Sequence, residues 1–219
     1  MIADLLKKVP LFANLADEEL ETLSKVTHVR SYLKDTMIIW AEDEGDSFFV
    51  IQSGEVKVSV TAGDGREVLL SRLGPGEFVG DMSLLDGEPR SADVTTMIPT
   101  EALVLLRTDF HQALRAYPSI GVHLLVTLAT RLRKADRHIG SLALLGITDR
   151  ICSVLVTLAD EEGEETEEGV VIRKRPTHQM IANMAGTARE TVTRVLRRLS
   201  REGYIRSNGR ELIILRRSD

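Results

Sequence analysis

Between Pro118 and Leu145 the apolar residues fall at the spacing of one long helix with a seam. Leu125, Leu128, Leu132, Ala135, Ile139 and Leu142 follow one another at intervals of 3, 4, 3, 4 and 3. That alternation draws a stripe along a left-handed coiled coil. Pro118 suits the first turn, because its missing N–H would have no partner there. Arg131, Arg133, Lys134, Asp136 and Arg137 lie off the seam. Such a helix can sit in the core of one domain or meet a second copy of itself, and the charged flanks favour the second.

On the N-terminal side the period changes. Leu11 to Leu23 reads as a short helix opened by Asp17, Glu18 and Glu19. Period-two stretches then predict strands at Met37–Trp40, Ser47–Ile51, Gly54–Val60, Val68–Leu73, Phe78–Val79, Ser91–Met97 and Ala102–Leu106. The run from Thr61 to Arg66 supplies turn chemistry. Many short strands with glycine-rich turns predict an antiparallel barrel or double-sheet roll, and a short helix at Asp109–Ala116 leads out of it.

On the C-terminal side Thr148 is expected to cap a helix over Asp149–Ala159. Asp160–Glu168, with seven acids in nine residues, reads as a solvated loop, and Val170–Arg173 as a short strand. Ala182, Gly186, Val192 and Val195 then stand at intervals of 4, 6 and 3. This suits two helices crossing tightly around a glycine turn. Thr187 and Glu190 fit a capping box for the second helix, whose buried stripe is Val192, Val195, Leu196 and Leu199. Tyr204–Arg206 and Glu211–Leu215 flank an Asn208-Gly209 hairpin signal. The predicted chain is α+β, in three parts: a roll over 1–117, a long helix over 118–145 and a winged helix-turn-helix over 146–219.

Composition changes the picture in two places. The single cysteine, Cys152, forbids an internal disulfide or a four-cysteine cluster on one chain. The net charge of −5 hides a division: residues 170–219 hold 12 basic and 4 acidic groups, residues 1–169 hold 16 and 29. A basic terminal module on an acidic body fits a polyanionic partner. The N-terminus lacks an apolar signal region and no run of 18 apolar residues occurs, so the expected location is cytoplasmic, with no membrane partner.

Candidate chemistry falls in two segments. From Gly74 to Ala92, glycines allow backbone N–H groups to cradle a phosphate, Arg90 offers a fork to its oxygens, Ser91 a hydroxyl, and Asp81 an acceptor for a ribose hydroxyl. An ordinary surface turn fits the same composition. In the second segment Glu190, Arg194, Arg197 and Arg201 lie opposite the buried stripe and Arg189 projects from the first turn, which matches major-groove reading. A barrel metalloenzyme would need histidine ligands from the strands. None of the five histidines lies between Val29 and Phe110, and His28, His111, His123, His138 and His178 have no ligand spacing.

Gly76-Glu77-Phe78, Gly80-Asp81-Met82 and Pro89-Arg90-Ser91-Ala92 resemble the phosphate-binding cassette of cyclic-nucleotide-binding domains. With the long helix and the winged module following, almost the whole chain resembles the cyclic-AMP receptor protein/fumarate–nitrate regulator (Crp/Fnr) family of bacterial transcription factors. The resemblance implies a homodimer with Leu125, Leu128, Leu132 and Ile139 at its seam. It implies an effector site built from Gly80, Asp81, Met82, Ser83, Arg90, Ser91, Arg131, Ala135 and Asp136. DNA contacts are implied for Thr177, His178, Arg189, Glu190, Thr191, Thr193, Arg194 and Arg197. Gly186 to Arg194 looks like the recognition helix of the cyclic-AMP receptor subgroup, whose matching Arg, Glu and Arg read GTG-containing half-sites of a palindrome. RNA polymerase is a further implied partner. A cyclic nucleotide, cyclic AMP or cyclic di-GMP, is the candidate effector, and no metal or catalytic residue is expected. The chain departs from the family where Asp81 replaces the usual Glu, and where Ala135-Asp136 stand in place of a Thr-Ser pair that meets adenine. One cysteine is too few for the iron–sulfur branch. A haem in place of the nucleotide stays open, although no histidine stands out as its ligand. The rival reading is a cyclic-nucleotide-binding module that acts through a protein partner, its basic tail serving only solubility.

Overall fold

The computed structural model describes residues 2–216. The chain forms two compact units, Met1–Leu132 and Arg133–Asp219. The division falls inside the long helix.

The first unit opens with helix α1 (Ile2–Lys7), a 3-10 turn at Pro10–Phe12 and helix α2 (Asp17–Ser24). The single helix expected over Leu11–Leu23 is thus broken, because Ala16 becomes an N-cap whose backbone N–H donates to Glu19 Oε2 at 2.7 Å. Eight strands follow: β1 (His28–Tyr32), β2 (Met37–Ile39), β3 (Ser47–Ser53), β4 (Val56–Thr61), β5 (Glu67–Leu73), β6 (Phe78–Val79), β7 (Asp93–Thr96) and β8 (Thr100–Leu106). They pair antiparallel in two sheets, ordered β1-β8-β3-β6 and β2-β7-β4-β5. This is the predicted roll.

Strand β3 shows why its sequence is apolar without a break. Phe48 and Val50 point into a core with Phe78, Phe110, Ile120 and Leu124. Phe49 and Ile51 point the other way, among Val56, Leu73, Val94 and Val104. A strand covered on both faces loses the polar half of its alternation. Phe48 and Phe110 stack with centroids 4.7 Å apart, which ties the sheet to helix α4 (Arg107–Ala116). Between β6 and β7 lies a helix the sequence did not reveal, α3 (Asp81–Asp86).

Helix α5 (Pro118–Leu144) carries the heptad stretch. Leu125, Leu132 and Ile139 are exposed. Leu128 faces elsewhere, half-buried against the roll's core. Exposed Val122 and Val126 extend the open apolar stripe toward the helix start.

The second unit contains α6 (Ile147–Glu162), β9 (Glu164–Thr166), β10 (Gly169–Ile172), α7 (His178–Ala185), α8 (Arg189–Arg201), β11 (Ile205–Asn208) and β12 (Glu211–Leu215), with the strands ordered β11-β12-β10-β9. Ile151, Leu155, Ile181, Val192, Leu196 and Leu212 share its core. Three local expectations are corrected. Gly146, not Thr148, stands at the N-cap of α6, two residues before the predicted position. The acidic tract is no loop: the helix runs through Glu162 and Glu164–Thr166 form an edge strand on β10. Its carboxylates are matched by arginines, with Glu164 bound to Arg173, Glu165 to Arg216 and Glu168 to Arg206. Finally, α8 starts at Arg189 with Ala188 at its N-cap, so Thr187 and Glu190 make no capping box.

Candidate functional site

The cassette is set by two glycines. Gly80 (φ 85°) ends β6 and caps the start of α3, and Gly87 (φ 81°) ends α3 by giving its N–H to Ser83 O. A Cβ on Gly80 would lie 2.7 Å from both Arg90 Nη1 and Ser47 O, so the position needs glycine for space as well as for φ. Arg90 is 6% exposed. Its Nη1 donates to Gly80 O and Ser83 Oγ, each at 2.9 Å, and its Nη2 donates to Ser47 O at 2.7 Å. Burial draws this guanidinium below its usual pKa, with Asp46 and Asp81 opposing the shift. The expected phosphate fork is therefore turned inward, and a bound phosphate would meet Nε–H and the remaining Nη2 proton unless these bonds exchange.

Asp81 is buried too. Arg131, from α5, donates from Nη1 to Asp81 Oδ1 at 3.0 Å and Oδ2 at 3.2 Å. Its Nη2 donates to Phe78 O, and its guanidinium lies 4.7 Å over the Phe78 ring. The structure thus brings together Gly80, Asp81, Ser83, Arg90 and Arg131. Met82 and Ser91 are exposed at the rim, the Ser91 hydroxyl 3.7 Å from Met82 Sδ. Ala135 and Asp136 lie exposed further along α5. Sequence reasoning missed Ser47, Gly45 and Arg107 behind the cassette. Arg107 Nη2 donates to Ser83 O at 3.0 Å, and a Cβ on Gly45 would meet Ser83 Oγ at 2.2 Å. These contacts cross long stretches of chain, and no local pattern announces them.

In the second unit Gly186 takes the left-handed conformation (φ 59°, ψ 50°) between α7 and α8, as the turn requires. Thr177 is the N-cap of α7, its hydroxyl oxygen accepting from Met180 N–H. With Val192, Val195, Leu196 and Leu199 buried, α8 turns Arg189, Glu190, Thr193, Arg194, Arg197, Ser200 and Arg201 toward a shallow concave surface. Thr191 and Arg194 border a second depression with Ile147, Thr148 and Arg198. With no capping box, the Glu190 carboxylate is not tied to its own helix start. His178 sits half-buried beside this face. Burial first, then the charges of Arg175, Arg189 and Arg197, hold its imidazole below the usual value.

A cyclic-nucleotide-type roll, a long helix and a winged helix-turn-helix with a basic reading face define a DNA-binding transcription regulator. Comparisons with known proteins agree. The model of the cyclic nucleotide-binding domain matches residues 29–117, and that of the Crp-like helix-turn-helix domain matches 149–219. The cyclic AMP receptor protein of Thermus thermophilus is 35% identical over 201 residues, 92% of this chain and 90% of that protein. A CRP-like cAMP-activated global transcriptional regulator of Mycobacterium tuberculosis is 29% identical over 213 residues, 96% of this chain and 94% of that one. Among solved structures, the c-di-GMP responsive global regulator CLP of Xanthomonas campestris superposes with a TM-score of 0.77 at 27% identity, covering 92% of this chain and 100% of that one. The chain belongs to the Crp/Fnr family of transcription regulators.

Proposed function

We propose that two copies of this chain bind a palindromic operator with GTG-containing half-sites and that a cyclic nucleotide at the cassette controls the binding. The observation that carries the DNA half is the composition of α8's open face: every predicted base reader lies on it, and no apolar residue of the helix stripe does. Arg189 and Arg194 donate to guanine O6/N7, and Glu190 accepts from cytosine N4. Contact with RNA polymerase follows from the family role.

The effector half rests on the cassette. The side chains expected to bind phosphate and ribose are both engaged internally: Arg90 with Gly80, Ser83 and Ser47, and Asp81 with Arg131. A ligand must exchange these bonds, and the Thr-Ser pair that meets adenine in the family is Ala135-Asp136 in this sequence. Loss of one buried hydrogen bond costs about 0.5–1.5 kcal/mol. Cyclic AMP accordingly binds weakly or fails to activate, and another nucleotide such as cyclic di-GMP serves, or the dimer is active alone. A ligand switches the protein only by preferring one arrangement of its modules. Calorimetry with each nucleotide, paired with operator titrations in its presence, tests this. Micromolar cyclic AMP binding with a large rise in operator affinity would overturn the weak-binding assignment.

A further inference from the structure

Beside the reading face runs a hydrogen-bond chain that the three base contacts proposed for Arg189, Glu190 and Arg194 leave unused. Arg175 Nη1 lies 3.3 Å from His178 Nε2, and His178 Nδ1 lies 2.8 Å from Thr193 Oγ1. Thr193 Oγ1 in turn donates to the Arg189 carbonyl oxygen at 3.1 Å. A guanidinium can only donate, so Nε2 must present its lone pair and the ring proton must sit on Nδ1. Thr193 then accepts from Nδ1 and keeps its own proton for Arg189. Each of the three links then pairs a donor with an acceptor, and this holds only while the imidazole is neutral. A second ring proton would point Nε2–H at Arg175 and place two cations side by side. The charged groups facing the ring are Arg175 from the segment before α7 and Arg189 and Arg197 from α8, all of one sign. Helix α8 has no side-chain cap of its own. The bridge from His178 is therefore a tertiary tie on the first turn that presents Arg189.

We propose that His178 is a positioning residue, a neutral pin that sets Arg189 through Thr193 and does not bind the DNA backbone as a cation. The proposal rests on the DNA-reading role of α8. The two roles for His178 differ in sign. A cationic phosphate contact takes up a proton on binding, so its contribution grows as pH falls. A neutral pin is lost on protonation. Its imidazole is held below the ordinary 6.5, so its contribution to affinity, and to the stability of the winged module, is full above that value and disappears as pH falls below it.

The experiment titrates an operator duplex, selected with the wild-type protein, with full-length wild type and the variants His178→Ala, His178→Asn, Thr193→Val and Thr193→Ser. At about pH 7.5, well above an ordinary imidazole pKa, His178→Ala and Thr193→Val should each weaken binding about three- to tenfold. The double variant should be no weaker than the worse single one within about twofold, since both remove one link. His178→Asn and Thr193→Ser, which keep a donor and a hydroxyl, should recover most of the loss. The ratio of wild-type to His178→Ala affinity should shrink progressively as pH is lowered from about 7.5 toward about 5, as the imidazole takes up its second proton. A ratio that widens on acidification, or losses that multiply in the double variant, would overturn the pin. Nitrogen-15 NMR of the His178 ring in the free protein supplies a reading independent of DNA. The pin requires the Nδ1–H tautomer, and an Nε2–H tautomer would refute it even if no duplex were bound. Failure of wild type to select any duplex would instead remove the DNA reading.

Discussion

Asp81 and Arg131 are unequal partners. The Asp81 side chain is 3% exposed, that of Arg131 34%. Removing Arg131 strands a buried carboxylate, a change that costs about 3–5 kcal/mol. Removing the charge of Asp81 leaves a guanidinium that can turn to water and still reach Phe78 O, at a cost of about 1 kcal/mol. Trp40 is the sole tryptophan and lies just beyond β2 in the roll, so its fluorescence reports on that unit. In urea unfolding followed at Trp40, Arg131→Met should destabilise the roll by about 2 kcal/mol or more beyond Asp81→Asn. Equal losses would show that the carboxylate is not the buried member of the pair. The same asymmetry bears on the effector: a ribose hydroxyl that takes Asp81 must leave Arg131 with another acceptor, and a nucleotide phosphate is one.

Helix ends and turns are where single residues decide an element. Gly186 joins α7 to α8 in the left-handed conformation, and a Cβ there would also lie 3.1 Å from Leu142 Cδ2. Gly186→Ala should therefore destabilise the winged module by about 1–2 kcal/mol and weaken operator binding. Calorimetric unfolding of the full chain checks this, and an unchanged transition would contradict the turn assignment. The elements with a strong period were legible in the sequence: α5 was bounded to within a residue, and the α7–turn–α8 pair followed from Ala182, Gly186, Val192 and Val195. Other elements were hidden for physical reasons. Strand β1 exposes four of its five residues and is held at a sheet edge by its ladder to β8, so it carries no burial pattern. Helix α3 is six residues long and lies between Gly80 and Gly87, whose glycines read equally well as a phosphate nest. Edge strand β9 is masked by its acids Glu164 and Glu165, whose partners Arg173 and Arg216 lie 9 and 51 residues away along the chain. The cassette's residues follow from their local order together with the family resemblance. The inward turn of Arg90 depends on Ser47, 43 residues earlier, and no spacing rule reaches that far.

For the whole molecule, the proposed assembly rests on α5 and the proposed DNA reading on α8. Val122, Leu125, Val126, Leu132 and Ile139 are each more than 60% exposed on α5. Exposed apolar residues at this spacing fit a protein–protein surface, and the proposed partner is a second copy of the same helix. Leu128 is half-buried against the roll, so it contributes less to that surface than the spacing implied. Leu132→Asp with Ile139→Asp should yield monomers in sedimentation and lower operator affinity by about 100-fold or more, because two linked modules no longer bind together. An intact dimer would remove the seam. The central claim is that α8 reads sequence, and binding-site selection from a pool of random duplexes tests it most directly. The wild-type protein should enrich an inverted repeat of GTG-containing half-sites about one helical turn apart, and Arg189→Ala, Glu190→Ala or Arg194→Ala should each relax preference at one base pair at a cost of about 1–3 kcal/mol. A selected pool with no guanine preference, or with no inverted repeat, would contradict it.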